Sequence, residues 1–225
     1  MPSEQTILVW DLPTRAFHWL LVLAVTGSYV TGKGELSLVV HAICGYTILG
    51  LVAFRLLWGF AGTRYARFAS FRYGPRRARE YLESLLAGRP QHFLGHNPAG
   101  SWAIYALLAL AAASGMTGWL SLHEYGGEFM EDVHEGATNA LLAVVLLHVI
   151  GAIASSLAHG ENLVRAMVDG RKRGRPEEGL RGSVWIVGVL LLAGVAAFWG
   201  AALRGDLPAI TQPALERQAN ERDDD

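Results

Sequence analysis

The sequence predicts an all-α integral membrane protein, a four-helix transmembrane bundle followed by a fifth, C-terminal transmembrane helix. Three observations carry that expectation. Hydrophobic residues make up 52% of the 225-residue chain and charged residues only 17%, with a mean hydropathy of +0.26, whereas an ordinary soluble domain is about 25% charged. Five apolar segments approach the roughly 20 residues that cross a bilayer. The charges between these segments are segregated by sign, although the formal net charge is only -1.

The first segment, about 16–32, is short. MPSEQTILVWDLPTR in front of it lacks the basic n-region of a signal peptide and no A-x-A-like site follows it, so the segment is expected to stay uncleaved. The second runs about 36–58, and the connection behind it contains RRAREYLESLLAG, where arginines flank an apolar stripe of Tyr81, Leu82, Leu85 and Leu86. This stretch is expected to form an amphipathic helix on the inner membrane surface, with a solvated connector as the alternative. The third and fourth segments, about 101–121 and 133–157, complete the bundle. The fifth, about 183–203, is set apart by RKRGRPEEGLRG. The chain therefore divides into a four-helix membrane domain, 1–173, and an added helix with the acidic tail ERQANERDDD, 174–225.

Orientation follows from lysine and arginine, which accumulate in cytoplasmic loops. The connection between the second and third segments carries Arg64, Arg67, Arg72, Arg76, Arg77, Arg79 and Arg89 against Glu80 and Glu83. The connection between the fourth and fifth carries Arg165, Arg171, Lys172, Arg173, Arg175 and Arg181. Between the third and fourth lies HEYGGEFMEDVHE, with Glu124, Glu128, Glu131, Asp132 and Glu135 and neither lysine nor arginine. The N-terminus is expected in the cytoplasm and the C-terminus in the periplasm of a bacterial inner membrane. This pattern points to lipid and not to nucleic acid as the surrounding partner.

HEGATNALLAVVLLH, 134–148, places a histidine at each end of an apolar stretch. Fourteen helical residues rise roughly 21 Å and return to within about 40° of the same face, so His134 and His148 point alike at opposite depths. A polar side chain inside a membrane is costly unless paired or ligated, and marks a functional hypothesis. The topology puts His18 at the inner depth of His148 and His41 at the outer depth of His134. Four histidines thus sort into two pairs, and a bis-histidine haem takes one imidazole on each side of its iron. Cys44 is the only cysteine, so there is no CxxCH for covalent attachment, and two non-covalent haem b groups are expected.

Arg55 follows His41 by fourteen residues and should face the inner haem, either as a cation for a propionate or as an ordinary positive-inside anchor. Gly32, fourteen residues after His18, and Gly45 and Gly151, one turn from candidate ligands, would let a flat macrocycle approach or would serve simple helix packing. His123 and His159 lack depth-matched partners and are expected at the interface. In QHFLGHNPAG, His92, His96 and Asn97 lie at the inner end, where Asn97-Pro98 signals a turn or cap. With Arg64 and Arg67, His96 and Asn97 form a candidate quinone site; a plain helix cap is the stronger reading of that segment.

VWDLPTRAFHWLL, FRLLWGFAGTRYARFASF, LGHNPAGSW, HE at 134–135 and HVIGAIASSLAHGENLVRAMVDGRKR resemble the bacterial cytochrome b561 family, which includes the cytochrome b subunits of membrane-bound nickel-iron hydrogenases. The resemblance covers about residues 7–173. It implies a four-helix bundle holding two b-type haems, with ligands falling on His18, His41, His134 and His148, and electron transfer between the quinone pool and a redox partner. The fifth helix and tail depart from that pattern.

The resulting expectation is a dihaem cytochrome that carries electrons across the inner membrane between quinone and a periplasmic protein, either a hydrogenase or a c-type cytochrome. A second copy of the chain is a further candidate partner. The acidic outer loop and tail fit a positively charged partner, or are simply solvated. The rival is a haem-free membrane anchor or transporter subunit. An anchor gives no reason for depth-matched histidines, and a transporter calls for broken helices or repeats around a midplane site.

Overall fold

Asp11 opens the helical part of the chain. One of its oxygens accepts a hydrogen bond from Thr14 N at 2.8 Å and Pro13 occupies the first turn, so α1 runs from Leu12 to Thr31. The other oxygen accepts from Trp58 Nε1 at 3.2 Å and Thr63 Oγ1 at 2.5 Å, which ties the start of α1 to the end of α2, Leu38–Ala61. The computed structural model describes residues 5–32, 38–89 and 91–223. The expected start of the second segment at 36, the first four residues of the N-terminal stretch and Asp224 and Asp225 of the tail lie outside the described residues.

The remaining helices are α3 (Pro75–Leu86), α4 (Pro98–Leu122), α5 (Gly127–His159), α6 (Leu163–Asp169), α7 (Trp185–Leu203) and α8 (Pro208–Asp223). Among the described residues, α2, α4, α5 and α7 are long and apolar enough to cross a membrane. The first expected segment falls within α1, whose apolar run is diluted by Thr14, Arg15, His18, Thr26 and Ser28. Helix α5 extends N-terminally beyond its apolar stretch, where Glu128 in the first turn faces the positive end of the helix dipole.

Phe17 and Ala24 of α1, Ile48, Leu51 and Val52 of α2, Leu108 and Ala111 of α4 and Leu141 of α5 form the main core. Leu146 and Leu147 on α5 and Leu190 on α7 point outward, more than 60% exposed. Lipid tails are as apolar as leucine, so such a surface needs no protein cover. Helix α7 is less separate than its charged linker implies. It packs on α1, with Gly188 against Leu12, and Trp199 Nε1 donates to Thr47 Oγ1 of α2 at 2.9 Å.

Two features were not visible as apolar segments. Strand β1 (Gln5–Leu8) pairs antiparallel with β2 (Arg171–Gly174), within the arginine-rich linker. Lys172 there is buried, with Nζ 3.1 Å from Glu161 and donating to Phe93 O at 3.1 Å. Tyr65 donates to Glu178 O at 2.8 Å, so both arginine-rich connections meet at this end. At the other end most of the expected acidic tail is helical. Helix α8 buries Thr211 and Ala214 one turn apart and packs on α2, α4 and α7. Helix α3 does form, with Tyr81 buried at 3.3 Å from Ser155 Oγ, Leu82 and Leu86 exposed, and Arg76–Glu80 and Arg79–Glu83 paired on its surface.

Candidate functional site

His41 lies in the first turn of α2 and His134 in the second turn of α5. Each Nδ1 is 2.9 Å from a helix carbonyl, Ser28 O on α1 for His41 and Ser114 O on α4 for His134. A carbonyl can only accept, so Nδ1 carries the proton and Nε2 keeps its lone pair for a metal. The two ring centroids are 6.2 Å apart with planes at 90°. Two metal–imidazole bonds of about 2 Å, plus half a ring on each side, amount to about 6 Å, so one metal ion fits the spacing.

Glycines make room for both rings. A Cβ on Gly32 would lie 3.0 Å from His41 Cε1, and one on Gly118 would lie 2.8 Å from His134 Cε1. Gly118 was not singled out from the sequence, where a glycine within an apolar run reads as packing. The rings border a cavity of about 820 Å³ that also touches Gly45, Tyr46, Gly115, Trp119, Glu131 and Arg217, within the roughly 300–1,000 Å³ of ligand sites. Beside Gly45 and Gly151 the space for a Cβ is open.

The second pair, His18 on α1 and His148 on α5, is close enough to interact electrostatically, and both rings are half-buried. His18 Nδ1 is buried without a hydrogen-bond partner. Arg55, which like His148 acts electrostatically on His96, is 3% exposed, with its guanidinium 4.8 Å from the Phe68 ring and 5.9 Å from that of Phe71. A positive-inside anchor would snorkel to water; Arg55 instead turns inward, and its Nη1 has no partner. Tyr105 Oη and His96 Nδ1, around the same aromatic cluster, are likewise buried and unpaired. Buried polar groups are normally satisfied, so these atoms could receive a polar group from outside the chain.

His96 packs between Trp10 (4.6 Å) and Phe71 (4.3 Å). Burial, reinforced by Arg55, His148 and Lys172, pushes its imidazole down to about 3, so it is neutral at physiological pH. The other residues grouped with it are engaged separately. Asn97 caps α4, its Oδ1 accepting from Gly100 N at 2.7 Å, Arg64 lies over Tyr65 at 5.3 Å, and Arg67 is exposed. His123 bonds Trp119 O at 2.9 Å, and His159 sits between Ser155 O and Gln91 O, beside His92 at 5.9 Å. Among the described residues no cluster of three or more His, Cys, Asp or Glu could hold a metal ion; the imidazoles associate in twos.

The chain is similar to proteins described as probable Ni/Fe-hydrogenase B-type cytochrome subunits. The one from Rhodobacter capsulatus is 21% identical over 213 residues, covering 74% of this chain and 81% of that protein. The one from Rhizobium leguminosarum bv. viciae is 21% identical over 216 residues, covering 76% and 90%. A probable Ni/Fe-hydrogenase 1 B-type cytochrome subunit of Escherichia coli K12 is 24% identical over 211 residues, covering 72% and 88%. No solved structure matches. Residues 9–170, from the end of β1 through α6, match the prokaryotic cytochrome b561 family, and the chain belongs to it: a multi-pass membrane protein of electron transfer that carries haem b.

Proposed function

We propose that the chain is a dihaem cytochrome b conducting electrons across the bacterial inner membrane between quinone and a periplasmic redox protein. The observation that carries this reading is the 6.2 Å separation of the His41 and His134 rings, each oriented by a carbonyl of a neighbouring helix. His41 and His134 hold the outer haem, and His18 and His148 the inner one. Bound haem would supply one-electron exchange at each histidine pair. Because His134 and His148 share α5 at an interval of fourteen residues, the two sites stand roughly 21 Å apart along its axis. Arg55, with its unpaired Nη1, would neutralise a carboxylate of the inner haem.

In this reading α1 spans the membrane beside the four more apolar helices, with the β1–β2 end cytoplasmic and α8 periplasmic. What supports five spans is that α1 and α7 both run from the β1–β2 end to the α8 end and that the arginine-rich connections gather at the former. Quinone chemistry belongs at the inner end, where neutral His96, with Nδ1 unpaired, can hydrogen-bond a carbonyl oxygen, while Asn97, Arg64 and Arg67 frame the neighbouring connection. The periplasmic partner docks on the exposed acidic start of α5, formed by Glu124, Glu128, Glu131, Asp132 and Glu135. The names of the relatives favour a hydrogenase over a c-type cytochrome in that role. A haem-free anchor or transporter has no use for an imidazole pair spaced for one metal.

Single alanine variants test the assignment. His134→Ala is expected to lose one haem and keep the other, and His148→Ala to lose the complementary one, read in reduced-minus-oxidised spectra at low temperature. Retention of both haems by either variant, or the same spectral loss from both, overturns it.

A further inference from the structure

Beyond the family match, which ends at residue 170, the chain brings its own C-terminal helix back over the outer cavity. Helix α8 is anchored by Thr211 and Ala214, 5% and 0% exposed, and one turn beyond Ala214 the same face carries Arg217 and Gln218 to the cavity wall. Arg217 Nη1 donates to Ser121 O at 3.1 Å and Ser121 Oγ at 3.3 Å at the end of α4, and Nη2 donates to Glu131 in the first turns of α5. Glu131 and Arg217 both border the space in front of His41 and His134.

A guanidinium held by two helices at the edge of the cavity that both rings border does more than clamp a terminus. We infer that Arg217 is a positioning residue of the outer haem site: together with Glu131 it sets the electrostatic potential at the His41–His134 site and so tunes the reduction potential of the haem bound there. The inference rests on the dihaem reading above. A nearby cation favours the reduced, more negative state of the haem, and a carboxylate favours the oxidised state. Both charges border the cavity, so removing the cation and removing the carboxylate change the potential there in opposite senses. The two removals must therefore act with opposite signs.

The experiment is a redox titration of the full-length, detergent-purified haem protein, following each haem by its reduced-minus-oxidised spectrum and taking as outer the one that His134→Ala removes. Arg217→Gln is expected to shift the outer haem to lower potential, Glu131→Gln to shift it to higher potential, and Arg217→Lys, which keeps the charge but not the two-pronged geometry, to stay near the wild type. The inner haem stays unmoved in all three. A purely structural clamp would lower thermal stability in Arg217→Gln and Arg217→Lys alike and leave both potentials in place, and that outcome overturns the inference while sparing the dihaem reading. Shifts of equal sign, or equal shifts of both haems, overturn it as well. A wild-type protein with fewer than two haems overturns the dihaem reading and the inference with it.

Discussion

A hydrogen atom in place of a side chain at position 118 decides where the His134 ring can stand. Replacing Gly118 by alanine puts a Cβ 2.8 Å from His134 Cε1, yet in a helix interior alanine is favoured over glycine by about 1 kcal/mol. Gly118→Ala is thus expected to fold normally and lose the haem of the His41–His134 pair, halving the haem-to-protein ratio; two haems with unchanged spectra would remove Gly118 from the site. Arg55 makes a second case. Its burial among Phe68 and Phe71 with Nη1 unpaired predicts that Arg55→Gln lowers the midpoint potential of the inner haem and leaves the outer one unchanged, as read by redox titration. The proximity of the histidines within each pair was legible because helix rise relates His134 to His148 and the order of the spans sets the depths of His18 and His41. The carbonyls of Ser28 and Ser114 that orient two of the rings were not, because every residue has a carbonyl and only packing selects which one meets an imidazole. Tyr105 was hidden for a similar reason, as one aromatic among many in an apolar run.

Asn97 ahead of Pro98 was readable as a turn or cap, and it opens α4; Asp11 ahead of Pro13 opens α1 in the same way, upstream of the expected apolar segment and without having been singled out. Asp11 does more than cap, since it also receives Trp58 and Thr63 from the end of α2. Asp11→Ala is expected to cost roughly 2–3 kcal/mol from the lost cap and side-chain bonds, seen as a lower unfolding temperature in detergent, whereas an unchanged temperature would mean that the junction of α1 and α2 is held by packing alone. The elements that escaped the sequence are those whose burial involves few large apolar residues. Among its described side chains helix α8 buries small ones, Thr211 and Ala214, under a strongly polar composition, and β1 and β2 are four residues each, one of them RKRG. No hydropathy argument finds such elements, because their stability comes from neighbours already folded.

The charge asymmetry on which the proposed orientation rests also has a structural counterpart. Both arginine-rich connections meet around β1 and β2, while the acidic start of α5 and helix α8 share the opposite end. With the buried Cys44 replaced by serine, a membrane-impermeant thiol reagent applied from the periplasmic side is expected to label Glu216→Cys and to spare Arg76→Cys; the reverse pattern would invert the topology. The fifth helix, read as an addition, turns out to be wedged against α1 and hydrogen-bonded to α2, so it connects the family-type bundle to the segment that closes over the outer cavity. The central claim is that two histidine pairs at two depths each hold one haem. Its most direct test is the dithionite-reduced minus oxidised spectrum of the purified chain, with haem and protein quantified on the same sample. Two b-type haems per chain are predicted, and one or none, after expression with ample haem, would contradict the account.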